Sequence, residues 1–390
     1  MTRRLLSIAT LYPAPGRPGF GRFVARQMEA LAARGDWQVT VINPIGLPPL
    51  QLKRYAALRA IPARTEAGGV SIHHPRFTLL PGLSGAFNPA LIAKAVLPLA
   101  RRLHAEQPFD MVDAQFFYPD GPAAARVSDA LGLPLAIKAR GSDIHYWGTR
   151  DAALKQMRAA ARQAGALLSV SAALGRDMVA LGLPGERLHV HYTGLDRARF
   201  RPLPRAEARA RVAALDLPTT GALVLSVGAL VPLKGTALAI EALAHLPADV
   251  TLAIAGDGAE GPALKALAER LGLSSRVRFL GAVDHETLPV LLAAADAMVL
   301  PSEREGLANA WIEALACGTP LVIPDVGGAR EVVVSPEAGR IVERTPEAIA
   351  AGLADVLAAP ALQDAVAASA ARFSWDANAE VLAGIYGALV

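Results

Sequence analysis

The sequence predicts an α/β protein of two doubly wound, parallel-sheet domains facing each other across a cleft. Three observations lead there. The chain has 390 residues, too long for one ordinary domain and suited to two. Short apolar runs alternate with longer helical patterns, the mark of βαβ units. That alternation lapses over 196–218, where six arginines crowd among prolines.

In the first half the strand candidates are Leu5–Thr10, Gln38–Asn43, Val70–His74, Met111–Gln115, Leu135–Ala139, Ala166–Val170 and Leu188–Tyr192. A helix over Phe20–Ala33 follows from apolar Phe20, Val24, Met28 and Leu31 at helical spacing. The second half restarts with Ala222–Val227 and continues through Val250–Ala255, Val277–Leu280, Ala297–Leu300, Leu321–Ile323 and Arg340–Val342. We therefore expect one domain over 1–195, a linker over 196–218 and a second domain over 219–372.

Composition narrows the class. With 53% hydrophobic and 19% charged residues the chain is globular. Its single cysteine, Cys317, excludes an intramolecular disulfide framework and any Cys-based zinc cluster, and fits a reducing cytoplasm. The close histidine pairs, His73-His74 and His189-x-His191, read as strand residues, so no metal site is expected. The uncharged run Phe77–Ala93 is broken by Pro81, Gly82, Gly85 and Pro89 and is short of the ~20 residues a spanning helix needs. Arg3-Arg4 and the apolar residues after them resemble a signal peptide, but Pro13, Pro15 and Gly16 end the stretch early, and a first buried strand explains it better.

The net charge of +4 hides a division: residues 1–195 carry 23 Lys and Arg against 12 Asp and Glu, and residues 196–390 carry 16 against 23. A basic half suits an anionic lipid surface or acidic substrate better than nucleic acid, because its charges are scattered and not interleaved with aromatics.

In doubly wound sheets chemistry belongs to loops beyond the carboxyl ends of strands. Five loops stand out. Tyr12–Gly21 carries Gly16, Gly19 and Gly21 before a helix, where backbone can approach a ligand. Lys138-Ala-Arg140-Gly-Ser-Asp143 ends a strand, and its Arg and Asp form either a ligand site or a surface salt bridge. Val227–Gly235 places Lys234 at a helix start, unfavourable against the macrodipole unless an anion shares the site. Ile254–Glu260 brings Gly256 and Gly258 to another strand-to-helix turn, where a flat base could lie against backbone. Pro301–Pro320 places Glu305 before a helix with Asn309 as the expected N-cap, and Glu313 one turn in. Two carboxylates at one helix N-terminus suit sugar hydroxyls, and free N–H groups there suit a diphosphate.

Glu305-x7-Glu313, the Ser302…Glu305-Gly306 start, Glu-Ala-Leu-Ala-Cys-Gly-Thr-Pro and the following Asp325-Val-Gly-Gly resemble the family 4 retaining glycosyltransferases of GT-B fold. Gly-Ala-Leu-Val-Pro-Leu-Lys-Gly, Ala-Gly-Asp-Gly and Ala-Arg-Gly-Ser-Asp match that family in the same order. The resemblance covers nearly the whole chain, down to Phe373-Ser-Trp375, which opens a last helix over 373–390 that in this fold crosses back to the N-terminal domain. It implies that Lys234 binds the donor diphosphate, Glu313 the nucleotide ribose and Glu305 the donor sugar at the reacting centre. It also implies that amides of Gly306, Leu307, Ala308 and Asn309 cradle phosphate and sugar, that Gly19 and Gly21 approach the diphosphate from the opposite domain, and that Gly256 and Gly258 flank the base. The co-substrate would be a nucleoside-diphosphate sugar, the acceptor a saccharide or lipid-linked saccharide, with no cofactor and no metal. The absence of an Asp-x-Asp motif agrees with the last point.

Three departures stand out against that family. Ala229 replaces a frequent arginine, Arg140 a frequent histidine, and Thr193 a frequent asparagine. Arg140 could supply the positive charge that Ala229 lacks, or could pair with Asp143 and only fix the loop. The rival functions are a GT-B nucleotide-sugar epimerase and a non-catalytic sugar-nucleotide-binding protein. Apolar Phe77, Leu79, Leu80, Leu83 and Phe87 in the basic half raise the further expectation of peripheral attachment to the inner, anionic face of a membrane.

Overall fold

The computed structural model describes residues 2–50 and 53–390. They form two compact units. Unit 1 runs to Gly194 and takes in Trp375–Val390 as well; unit 2 spans Leu195–Ser374.

Unit 1 contains β1 (Arg3–Ile8), β2 (Trp37–Ile42), β3 (Ile45–Leu47), β4 (Arg64–Ala67), β5 (Val70–His73), β6 (Arg76–Thr78), β7 (Met111–Ala114), β8 (Leu135–Ala139), β9 (Ala166–Ser169) and β10 (Leu188–Val190). Its main sheet runs β10-β9-β8-β7-β1-β2-β5-β4. All neighbours are parallel except β4, which lies antiparallel to β5 at the edge. Strands such as Leu135–Ala139 are buried along their length, as expected of a parallel sheet covered on both faces. The charged, exposed Arg64 and Glu66 mark β4 as an edge.

Unit 2 contains β11 (Ala222–Val227), β12 (Val250–Ala255), β13 (Val277–Gly281), β14 (Ala297–Val299), β15 (Leu321–Pro324) and β16 (Gly339–Val342), ordered β13-β12-β11-β14-β15-β16 and all parallel. In each unit the chain winds outward from its first strand to one side, then returns to the centre and winds to the other. The crevice where winding reverses lies between β1 and β7 in unit 1, and between β11 and β14 in unit 2. Ligands of such sheets bind at the carboxyl ends of those strands.

The unit 1 core packs Leu5, Val24, Met28, Leu31, Val39 and Ile72 together with Leu382 and Tyr386 of the helix Trp375–Gly387, the return helix. Trp37 meets the Tyr386 ring edge-on at 5.9 Å. Each fully buried apolar side chain contributes about 1.5–3 kcal/mol. At Gly194 any side chain would strike the Trp375 indole, 2.2 Å from where its Cβ would lie. The unit 2 core gathers Val224, Ile240, Leu252, Ile254, Val299, Val322 and Leu353.

Three expectations are corrected. The first helix spans Arg22–Ala33, not Phe20–Ala33, because Gly21 in a left-handed conformation (φ 69°) forms its N-cap. A Cβ at Gly21 would lie 2.5 Å from the Leu11 carbonyl. Phe20 is consequently outside the apolar face, exposed beneath the Arg17 guanidinium at 4.7 Å. The arginine-rich segment 196–218 is not a bare linker: it holds the helix Arg205–Arg211, packed on the helix Thr287–Ala294. Arg205 and Arg209 both pair with Asp296 there, and their Nε atoms donate to the carbonyls of Ala295 (3.0 Å) and Ala294 (3.2 Å). Finally, Phe77 and Leu79 are half-buried over Gly46 rather than free, whereas Leu80, Leu83 and Phe87 stay exposed.

Candidate active site

The two loops that flank the β11/β14 crevice carry Lys234 and Glu305. After β11 the chain makes a short 3-10 turn, Pro232–Lys234, and Gly235 in the left-handed region (φ 66°) turns it into the helix Thr236–Leu243. Gly235 must lack a side chain, since a Cβ would sit 2.2 Å from the Pro301 carbonyl of the opposite loop. This close approach brings Lys234 Nζ into an ion pair with Glu305 Oε1. Both side chains are largely withdrawn from solvent, at 23% and 11% exposure.

Behind Glu305 the Asp325–Gly328 turn supports the loop. The Gly328 amide donates to the Gly306 carbonyl (2.8 Å), and a Cβ at Gly327 would fall 2.2 Å from the Glu305 carbonyl. The loop then enters the helix Asn309–Ala316, whose N-cap is Ala308 and not Asn309; no side chain caps it. Asn309 is the first helical residue because its neighbour already has the extended conformation a cap requires (φ −70°, ψ 124°). The amides of Gly306, Leu307, Ala308 and Asn309 find no acceptor among the described residues, although the first three residues are buried. Free amides at a helix N-terminus point their N–H groups at a common place and form a ready site for a ligand anion.

Glu313, one turn into this helix, has no hydrogen-bond or ion-pair partner for its carboxylate among the described residues. Burial pushes its pKa up to about 7. Ser302, at the start of the same loop, likewise holds a buried hydroxyl without a partner.

Gly256 and Gly258 follow β12 and have a packing reason for being glycine. A Cβ on Gly256 would come within 1.8 Å of the Gly228 carbonyl, and one on Gly258 within 2.2 Å of the Leu230 carbonyl. The Leu230 amide donates to the Asp257 carbonyl (2.9 Å) and the Glu260 amide to the Leu230 carbonyl (3.0 Å). The two loops are thus bonded together beside Lys234.

In unit 1 the corresponding crevice holds a buried polar cluster. Asp120 accepts from both the amide (3.0 Å) and the hydroxyl (2.7 Å) of Thr10 after β1. Asp113 on β7 accepts from Gln115 Nε2 (2.6 Å) and Tyr386 O–H (2.5 Å). Burial raises the pKa of Asp113 to about 6 and of Asp120 to about 7, pushes the Lys138 ammonium well down, and lowers Arg140 to about 10. Arg140 donates from Nε to the Gln115 carbonyl (2.8 Å) and from Nη2 to Gln115 Oε1 (2.7 Å), with its guanidinium 4.9 Å over the Phe23 ring.

The Asp143 carboxylate is fully engaged by main-chain amides. It accepts from Phe117 (2.7 Å), Gly141 (2.8 Å), Arg140 (3.0 Å) and Ile144 (3.1 Å), and forms no ion pair with the Arg140 side chain. Asp143 therefore shapes the loop through main-chain amides, and of the two alternatives for Arg140 the side-chain pair with Asp143 is not what fixes the loop. Gly21 is tied to the β1 loop as described, whereas Gly19 is exposed with open space around it.

Residues 209–373 match the family described as Glycosyl transferases group 1, and residues 19–194 match the Glycosyl transferase 4-like domain. A protein of Bacillus subtilis (strain 168) named for teichuronic acid biosynthesis, the glycosyltransferase TuaC, is 31% identical over 330 residues, 83% of this chain and 82% of its own length. The chain belongs to the group 1 glycosyltransferases. A D-inositol 3-phosphate glycosyltransferase of Salinispora tropica is 38% identical over 224 residues, 52% of this chain, so the match spans about half (46%) of that relative. The Anabaena protein HepE, in a crystal structure with UDP, superposes with a TM-score of 0.76 at 23% identity, covering 99% of this chain and 100% of its own. The fold of this glycosyltransferase is GT-B, two Rossmann-like domains.

Within unit 2 the structure brings Lys234, Glu305, the Gly306–Asn309 amides and Glu313 to one crevice of this glycosyltransferase. In unit 1 it places Arg140 and Asp143 at the end of β8 and Gly21 after β1. The residues missed by sequence reasoning are Gln27, Asp113, Gln115, Asp120, His191 and Tyr386. Asp113 alone carried a signal: a charged residue within the otherwise apolar buried strand Met111–Ala114.

Proposed function

We propose that this glycosyltransferase moves a sugar from a nucleoside-diphosphate sugar to a hydroxyl of a saccharide or lipid-linked saccharide, with retention at the anomeric carbon and without a metal ion. The observation that carries this reading is the set of unclaimed Gly306–Asn309 amides beside the Lys234–Glu305 pair. Four N–H groups and an ammonium neutralise a departing diphosphate as a cation would. Among the described residues no group of three or more His, Cys, Asp or Glu side chains is placed to hold a metal ion.

In the reaction the anomeric C–O bond to the diphosphate breaks while the acceptor oxygen bonds the same carbon from the same face. The acceptor proton leaves with the departing diphosphate oxygen. A diphosphate drawing Lys234 toward itself frees Glu305 for the sugar hydroxyls. The partnerless carboxylate of Glu313 suits the two adjacent hydroxyls of a ribose, and Arg140 in unit 1 suits an anionic or hydroxyl-rich part of a substrate.

A lipid-linked acceptor at an anionic leaflet fits the surface of unit 1. That unit carries 23 Lys and Arg against 14 Asp and Glu, whereas unit 2 carries 16 against 21. No acidic residue occurs between Glu66 and Glu106, the stretch that exposes Leu80, Leu83 and Phe87. Their loop is fastened by Gln156 Nε2, which donates to the Ala86 carbonyl (2.9 Å), and by the Tyr118 hydroxyl on the Gly85 carbonyl (2.7 Å). Trp147 packs against Gly85, and Tyr146, with the Arg150 guanidinium 3.6 Å over its ring, flanks that indole. Among the described residues no helix is long and apolar enough to cross a membrane.

The test is thermal stabilisation by UDP-, GDP- and ADP-sugars, followed by sugar transfer in the presence of EDTA. A donor at 100 times its Kd adds about 2.7 kcal/mol. No stabilisation by any of the three overturns the donor reading, and loss of transfer in EDTA overturns the metal-free one. An epimerase would convert the donor sugar with no acceptor present.

A further inference from the structure

One hydrogen-bonded circuit in unit 1 begins and ends on the return helix Trp375–Gly387. At one end the Tyr386 hydroxyl donates to Asp113 Oδ2 (2.5 Å). Gln115 Nε2 donates to the same oxygen (2.6 Å), which fixes the direction of that amide. Its Oε1 must then face donors, and it accepts from Gln27 Nε2 (2.9 Å) and Arg140 Nη2 (2.7 Å). Gln27 Oε1 accepts from Lys138 Nζ (2.7 Å), which also donates to His191 Nδ1 (2.7 Å). His191 Nε2–H donates to the Asn378 carbonyl (2.9 Å), back on the return helix. Reversing either amide would set donor against donor, so the circuit admits one arrangement.

Arg140 is the member of this circuit that reaches the strand-end loop. Two of its nitrogens are held by Gln115, and Phe23 supports its face. No carboxylate pairs with it among the described residues, and Nη1 has no hydrogen-bond partner there. A guanidinium held from behind with one nitrogen uncommitted is pre-oriented for a ligand. The Gln115 amide that orients it takes its own direction from Asp113, and Asp113 is held by Tyr386.

We infer that Tyr386, acting through Asp113 and Gln115, is a positioning residue for Arg140, so that the return helix sets the ligand-facing cation of unit 1. The inference rests on the proposal that Arg140 contacts substrate. Full-length Tyr386→Phe, Arg140→Ala and the double variant test it, with kcat/KM for sugar transfer and Tm measured on each. The expected losses in kcat/KM are about tenfold or more for Arg140→Ala and about fivefold for Tyr386→Phe, with the double variant no worse than Arg140→Ala alone. Any loss in Tm from Tyr386→Phe should persist in the Arg140→Ala background, so stability adds while catalysis does not. Should Tyr386→Phe fail to fold, Gln115→Leu leaves the return helix and its Asp113 contact in place and should show the same dependence on Arg140. Losses in kcat/KM that multiply in the double variant, or wild-type turnover by Tyr386→Phe or Gln115→Leu, overturn the positioning role alone. Wild-type turnover by Arg140→Ala overturns the substrate contact, and the positioning role with it.

Discussion

The two crevices occupy the same place in the same kind of sheet, and they are finished in opposite ways. Beside β11 and β14, four consecutive amides, the Glu313 carboxylate and the Ser302 hydroxyl have no partner among the described residues, and the one strong contact is an ion pair a ligand can divide. Beside β1 and β7, Asp143 is saturated by amides, and Gln27, Asp113, Gln115, Lys138, His191 and Tyr386 form one hydrogen-bonded chain, although Ser7 Oγ and Asp113 Oδ1 stay buried without a partner among the described residues. Unspent bonding capacity at a strand end is the mark of a place for a charged ligand. Capacity spent within a side-chain network marks a place whose geometry is being held, there around the one uncommitted Arg140 nitrogen. Substitutions in unit 2 should therefore remove activity without removing stability.

The largest such effect belongs to Glu305→Ala and Lys234→Ala. Each should lower kcat/KM about 10²-fold or more, equivalent to ~2.7 kcal/mol of transition-state stabilisation. Neither should lower Tm appreciably. Near wild-type transfer by both would remove the contrast between the crevices.

Glu313 sharpens the comparison, because there the vacancy should cost stability. Burial holds its pKa at about 7, above the ordinary carboxyl value. The folded state then keeps a proton that the unfolded state has released, so stability falls as pH rises from about 4.5 to about 7 and stays lowered above that. Glu313→Gln should be more stable than wild type by about 3 kcal/mol at pH 8, with the difference vanishing toward pH 4.5 and nucleotide affinity reduced. Urea unfolding across that range checks it, and a difference independent of pH would show that the carboxyl is not the cause.

The smallest effect concerns the surfaces. Each basic residue near an anionic leaflet adds about 1 kcal/mol, so unit 1 should hold the protein on anionic vesicles at low salt and release it at high salt. Leu83→Ser with Phe87→Ser should weaken sedimentation further. Equal recovery in the supernatant with neutral and anionic vesicles would leave the charge division without a membrane role.

Much of the unit 2 site was legible in the sequence because glycines mark it. Gly235, Gly256, Gly258 and Gly327 each stand where backbone passes too near for a Cβ, and Gly235 and Gly327 do so against the loop that carries Glu305. The main strands were legible for a similar reason, since burial on both faces demands continuous apolar runs. The short β3, β4 and β6 were not: they hold only three or four residues, and Gly46, Arg64, Glu66 and Arg76 blur any pattern. Arginine spacing misled at 205–211, where the side chains satisfy carbonyls and Asp296 rather than solvent. The unit 1 circuit was illegible because its members come from segments as far apart as Gln27 and Tyr386, and a glutamine or tyrosine gives no local sign of the partner it will meet.

Unit 2 is an insertion in unit 1, entering after Gly194 and leaving before Trp375. During synthesis the ribosome releases the first sheet long before the helix that completes its core. Met28, Leu31 and Trp37 must wait for Leu382 and Tyr386 while the whole of unit 2 emerges and can fold. The order of maturation is thus the reverse of the order in sequence. The portion holding the Lys234–Glu305 pair can be finished first, and the portion holding Arg140 only once the polypeptide has come back to it.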